Sequence, residues 1–113
     1  MQPVNLEDIN EAAKLLDGVI RKTPSISAGW IEKKYGVDVT FKCENLQRAG
    51  SFKIRGAYNR IARLTQAQRS NGVVAASAGN HAQGVALAAQ ILGIKATIFM
   101  PVGAPLPKYQ ATL

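Results

Sequence analysis

Two short segments of this sequence hold the residue types from which an amine-based chemistry can be built. The first is Ser51-Phe52-Lys53-Ile54-Arg55-Gly56-Ala57. Ile54, Ala57, Tyr58, Ile61 and Leu64 recur at the spacing of one helix face, which puts Lys53 just inside the first turn of that helix. The positive end of the helix dipole and a neighbouring Arg55 both disfavour an ammonium there, and a neutral amine is the form that attacks an aldehyde. Lysines that form Schiff bases need surroundings of this kind. A solvated lysine at a helix end fits the same placement.

The second segment is Ser77-Ala78-Gly79-Asn80-His81-Ala82-Gln83-Gly84, which lies between the apolar run Val73-Val74-Ala75-Ala76 and a helical stretch ending at Gly93. In open α/β sheets, ligands bind beyond the carboxyl ends of strands, where the amides of a helix N-terminus receive an anion. Ser77 and Asn80 add side-chain hydrogen bonds, and Gly79 allows close backbone approach or a positive φ. A tight strand-to-helix turn with Asn80 as its N-cap accounts for the same residues.

Other chemistries lack their parts. Gly79 and Gly84 have the wrong spacing for a dinucleotide fingerprint, and no Gly-Lys-Ser/Thr follows to make a phosphate-binding P-loop. His81 is the one histidine, so neither a histidine metal cluster nor a serine triad can be assembled, and no metal site is expected. The one cysteine, Cys43, excludes an internal disulfide and suits a reducing compartment, so a cytoplasmic location is expected. The net charge of +7 is spread over single and paired residues such as Arg21-Lys22 and Lys33-Lys34, with Trp30 the sole tryptophan. That pattern lacks the clustered, aromatic-interleaved stripe of a single-strand binder, and no nucleic-acid partner is expected. No apolar run approaches the roughly 20 residues that cross a bilayer, so no membrane partner is expected either.

The elements that must position the two segments can be read from periodicity. The 113 residues, 47% apolar and 6% aromatic, suit one compact folding unit. Asn5 with Asp8 starts a first helix whose stripe is Leu6, Ile9, Ala13 and Leu16, ending at Gly18. A short helix around Trp30 to Tyr35 closes on two lysines and Gly36. Val37, Val39, Phe41 and Cys43 alternate with polar residues and predict a half-buried strand, with Cys43 packed in the core. After the Lys53 helix, Thr65 and Gln68 cap another short helix before Gly72. Val73 to Ala76 has the composition of a strand buried in a parallel sheet, and Ala96 to Met100 predicts the next strand. A strand, helix, strand order of this kind favours parallel pairing, so the fold class is α/β. Pro105 or Pro107 can sit in the first turn of a last helix.

Taken together, Glu44-Asn45-Leu46-Gln47-Arg48-Ala49-Gly50-Ser51-Phe52-Lys53-Ile54-Arg55-Gly56-Ala57 and Ser77 to Gly84 resemble the threonine dehydratases among the fold-type II pyridoxal-phosphate enzymes. The likeness extends to the first helix, the Thr23-Pro24 turn and the connection from Met100-Pro101 to Lys108. It implies an open, twisted parallel sheet with flanking helices, of the tryptophan synthase β type, incomplete over residues 1–113. It also implies that these residues are the N-terminal part of the catalytic domain, stopping before the family's phosphate loop and the residue that meets the pyridine nitrogen. Tight cofactor binding by the chain alone is therefore not expected.

The resemblance further implies that Lys53 binds pyridoxal phosphate as a Schiff base and later takes the substrate α-proton. Phe52 would pack beside the ring, Asn80 would hydrogen-bond the ring hydroxyl, and Ser77, Gly79, Asn80 and His81 would hold the substrate carboxylate. The implied reaction is loss of water from L-threonine or L-serine to an enamine that hydrolyses to a 2-oxo acid and ammonia, in a homo-oligomeric enzyme. Serine racemases of the group are similar but carry a second serine where this chain has Ala78, which favours elimination over racemisation. A racemase, a β-replacing enzyme and a non-catalytic interaction module remain the other readings.

Overall fold

The computed structural model describes residues 3–110 and 112. Helix α1 spans Leu6–Leu16 and opens on the expected capping box: the Asn5 side chain accepts from the Asp8 amide at 3.0 Å, and the Asp8 carboxylate accepts from the Asn5 amide at 2.9 Å. Its apolar stripe is only partly used. Leu16 is buried, but Leu6 and Ile9 are 71% and 57% exposed. Among the described residues no element covers the N-terminal part of that stripe.

Strand β1, Ser25–Ser27, pairs antiparallel with β2, Thr40–Lys42, and helix α2, Gly29–Tyr35, forms the connection. The strand expected over 37–43 is thus shorter, and it is exposed rather than half-buried. The alternation is real, but Val37 and Phe41 are each 50% exposed, so the pattern produces a ribbon of two short strands instead of a covered sheet edge. Cys43 is half-buried, with its thiol directed at the Phe41 carbonyl oxygen, outside the core.

The core is built by α3, Lys53–Ala62, against α5, Asn80–Leu92. Ile54, Ala57 and Ile61 of α3 meet Val85 and Ala88 of α5, with Ile94 closing the end. This matches the apolar stripe read from the sequence. Between them lie α4, Gln66–Asn71, with the predicted Thr65 and Gln68 capping box, and strand β3, Val73–Ala76. Arg69 of α4 donates to the Leu64 and Ala62 carbonyls at 3.1 and 2.6 Å, satisfying acceptors that the end of α3 leaves open.

Strand β3 runs parallel to β4, Ala96–Phe99, in the register Val73 to Ala96 through Ala76 to Phe99. Helix α5 connects them, so the strand, helix, strand unit is present. Gly72 is required at the entry: its φ is +77°, and a Cβ there would lie 2.7 Å from the Lys95 carbonyl oxygen. Burial along β3 alternates, however, and Val74 is exposed. The run expected to be buried on both faces has one face against the helices and the other open. A last helix, α6, covers Leu106–Gln110.

Candidate active site

Lys53 is the first residue of α3, and its amide donates to Oγ of the buried Ser51 at 3.4 Å. Its Nζ sits 5.0 Å from the centroid of the Phe52 ring, and both side chains are exposed. What brings this turn to the second segment is Gly84. A Cβ at Gly84 would lie 3.0 Å from the Lys53 carbonyl carbon and 3.1 Å from its oxygen and Cβ. The absent side chain lets the first turn of α3 press directly on α5.

The second segment forms the turn between β3 and α5. The Ser77 amide donates to the Phe99 carbonyl at 3.0 Å, and the Ser77 hydroxyl accepts from the Gly79 amide at 3.2 Å. Gly79, not Asn80, is the N-cap, because the serine closes the turn one residue earlier than the capping pattern suggests. Gly79 has a φ of −139°, so no left-handed conformation is needed, while a Cβ there would meet nothing within 4 Å. Its backbone is open to a ligand. Asn80 opens α5 one turn before Gly84 and therefore shares the face that meets Lys53.

A groove of about 710 Å³ runs from this corner along α3 and β3. Phe52, Lys53 and His81 wall one end, whereas Ser77, Gly79 and Asn80 are not part of its lining and lie in the turn that immediately precedes His81. Much of the rest is apolar, including Ala57, Ile61, Leu64, Val73 and Val85. Arg55, Arg60, Gln68 and Asn71 add polar groups farther along the lining, and the residues singled out for amine chemistry stand at the Lys53 end.

Sequence reasoning missed a polar cluster on the other side of Lys53. Arg55 does not stand as a free cation beside the lysine: its Nε and Nη2 donate to the two Glu44 carboxylate oxygens, each at 2.8 Å. The buried Thr23 donates its hydroxyl to the same carboxylate at 2.6 Å. The Arg55 hydrogen bonds, helped by Thr23 and opposed by burial, hold the Glu44 carboxyl down to about 2 from its ordinary 4.5. Glu44 in turn holds Arg55 above its ordinary range. Next to this, the buried Gln47 accepts from the Arg21 amide and donates to the Arg21 carbonyl, both at 2.9 Å.

Residues 16–113 match the family model described as pyridoxal-phosphate dependent enzyme. The chain belongs to this family. Within it, the chain is 56% identical over 109 residues to an L-threonine ammonia-lyase of Thermotoga maritima. It is 50% identical over 112 residues to an L-threo-3-hydroxyaspartate ammonia-lyase of a Pseudomonas species. Those alignments take in 96% and 99% of this chain but 27% and 35% of the two relatives. Among solved structures, serine racemase from maize superimposes with a TM-score of 0.91 at 42% identity, over 98% of this chain and 34% of that one. The chain therefore spans about a third of the length of the proteins it matches.

The fold is that of the fold-type II members, and the family's cofactor is pyridoxal phosphate. The residues present suit such a group: a primary amine at a groove wall, an aromatic ring beside it, and an open helix N-terminus next to His81. No helix among the described residues is long and apolar enough to cross a membrane.

Proposed function

We propose that this chain is the lysine-bearing N-terminal part of an enzyme that eliminates water from L-threonine or L-serine, leaving an enamine whose hydrolysis, by taking up one water, releases a 2-oxo acid and ammonia. One observation carries the reading: α3 delivers Lys53 to the end of a groove where the N-terminus of α5 is pressed against it through Gly84. Pyridoxal phosphate, when bound, supplies an aldehyde and a conjugated ring that accepts the electron pair left at the substrate α-carbon. Lys53 Nζ would hold the cofactor aldehyde and would serve as the base for the substrate α-proton. Phe52 flanks the ring. Asn80 would hydrogen-bond the ring hydroxyl, and Ser77, Gly79, Asn80 and His81 would receive the substrate carboxylate at the positive end of α5. Ala78 offers no proton donor to the opposite face, which favours elimination.

The full-length enzyme is expected to release 2-oxobutanoate from L-threonine, and Lys53→Ala to lower that rate by about 1,000-fold or more. An undiminished rate sinks the assignment of Lys53. The superposition on maize serine racemase favours one second reading, a racemase. Chiral analysis of the products from L-serine decides it, since D-serine as the main product replaces the elimination reading. A non-catalytic module forms no borohydride-trapped cofactor adduct at Lys53. Homo-oligomeric assembly and a cytoplasmic location belong to the same proposal, with no nucleic-acid or membrane partner.

A further inference from the structure

The first turn of α3 is poorly supported by its own sequence. Its N-cap, Phe52, makes no side-chain capping hydrogen bond, and the turn contains no acidic residue. Lys53 and Arg55 instead place two basic side chains at the positive end of the helix dipole, an arrangement that promotes fraying. The Ser51 hydroxyl reaches the Lys53 amide only at 3.4 Å. Yet the turn must hold the Lys53 backbone still against Gly84 for the amine to be aimed at the groove.

Glu44 supplies from outside what the turn lacks. It grips Arg55 through two parallel 2.8 Å bonds, a geometry that fixes the guanidinium plane as well as its charge. The pair is shielded, with side-chain exposures of 33% for Arg55 and 16% for Glu44. Thr23 holds the carboxylate from a third direction, and the Lys42 ammonium donates to the Thr23 carbonyl. Gln47 fastens the following stretch to the Arg21 backbone, accepting from its N–H and donating to its carbonyl. The chain at 21–23 thus becomes a fixed post to which the start of α3 is tied.

We propose that Glu44 is a positioning residue for the Lys53 amine, acting through Arg55 to lock the first turn of α3 in register with the N-terminus of α5. The inference rests on the reading of Lys53 given above. A small displacement of a reacting group lowers turnover far more than it weakens binding.

The test uses the full-length enzyme at saturating pyridoxal phosphate, with rates taken per folded molecule and folding followed by circular dichroism. Glu44→Gln is expected to lower kcat about 10-fold or more while KM changes less than about 3-fold, and to slow borohydride-trapped adduct formation at Lys53 in parallel. Glu44→Asp, which keeps the charge, should recover a large part of both. Arg55→Lys, which keeps the charge but loses the fork, should fall between Glu44→Gln and the unaltered enzyme. A Glu44→Gln enzyme that melts earlier but reacts and traps normally overturns the proposal. So does an Arg55→Lys enzyme with full kcat, or equal losses in the Gln and Asp variants. If the unaltered enzyme forms no adduct at Lys53, it is the reading of Lys53 that fails, whereas equal adducts with and without Glu44 remove Glu44 alone.

Discussion

At the scale of single residues, Glu44 makes a prediction that does not depend on catalysis. Its carboxyl sits at about 2 in the folded chain against an ordinary 4.5. A depressed acid stabilises the fold above the unfolded value, and that contribution is lost as pH falls from about 4.5 through about 2. Allowing for solvent screening at the one-third-exposed Arg55, the contribution is about 2 kcal/mol. Urea unfolding midpoints should therefore drop across that window, and Glu44→Gln should be weaker at neutral pH but flatter below pH 4.5. Parallel acid curves for the two proteins count against the pair. Lys53, Ser77, Gly79, Asn80 and His81 could be put forward as candidates from the sequence because each lies in a contiguous motif. The Glu44 and Arg55 pair could not, since a separation of 11 residues matches neither helix nor strand periodicity and only the fold brings the two together.

At the scale of elements, boundaries set by local chemistry were legible and those set by neighbours were not. The capping boxes at Asn5 and Thr65, and the left-handed glycines after α2 and α5, involve groups within one turn of each other. The extent of β2 and the open face of β3 depend on whether another layer covers them, which no periodicity records. The contact between α3 and α5 is likewise tertiary, and Gly84 is its tightest point. Gly84→Ala places a methyl group 3.0 Å from the Lys53 backbone, where no flexible side chain can yield. It should lower stability by about 1–3 kcal/mol and, because the displaced segment carries Lys53, reduce cofactor trapping there as well. Gly56→Ala is the matched comparison, since a Cβ at Gly56 meets nothing within 4 Å in the middle of α3 and should add about 0.5–1 kcal/mol. Denaturant titration of both variants checks the contrast, and equal effects would show that helix propensity rather than close approach governs position 84.

At the scale of the whole molecule, the chain is less compact than its length suggests. Its radius of gyration is 16.8 Å, against roughly 13 Å for a closely packed chain of about this size. The core is a single layer of contacts between α3 and α5, while the ribbon of β1 and β2 and much of α1 stand outside it. On the open face of the parallel pair, Val74 and Phe99 are 70% and 62% exposed. The described residues share one core, yet much apolar surface stays exposed, because apolar composition measures how much can be buried, not how much these residues bury among themselves. Contiguous apolar surface next to an unpaired strand edge favours association. Residues 1–113 expressed alone should therefore self-associate with rising concentration, as read by sedimentation velocity, and Phe99→Lys should shift the chain toward monomer with little loss of helix signal. A monodisperse monomer at high concentration would mean that the open face is closed in solution by the chain itself. The same dependence explains why Lys53 stands at the start of α3, pressed against α5, while the groove it borders stays open along its length: fixing that backbone needs two helices, but enclosing a ligand needs surfaces that these residues do not supply.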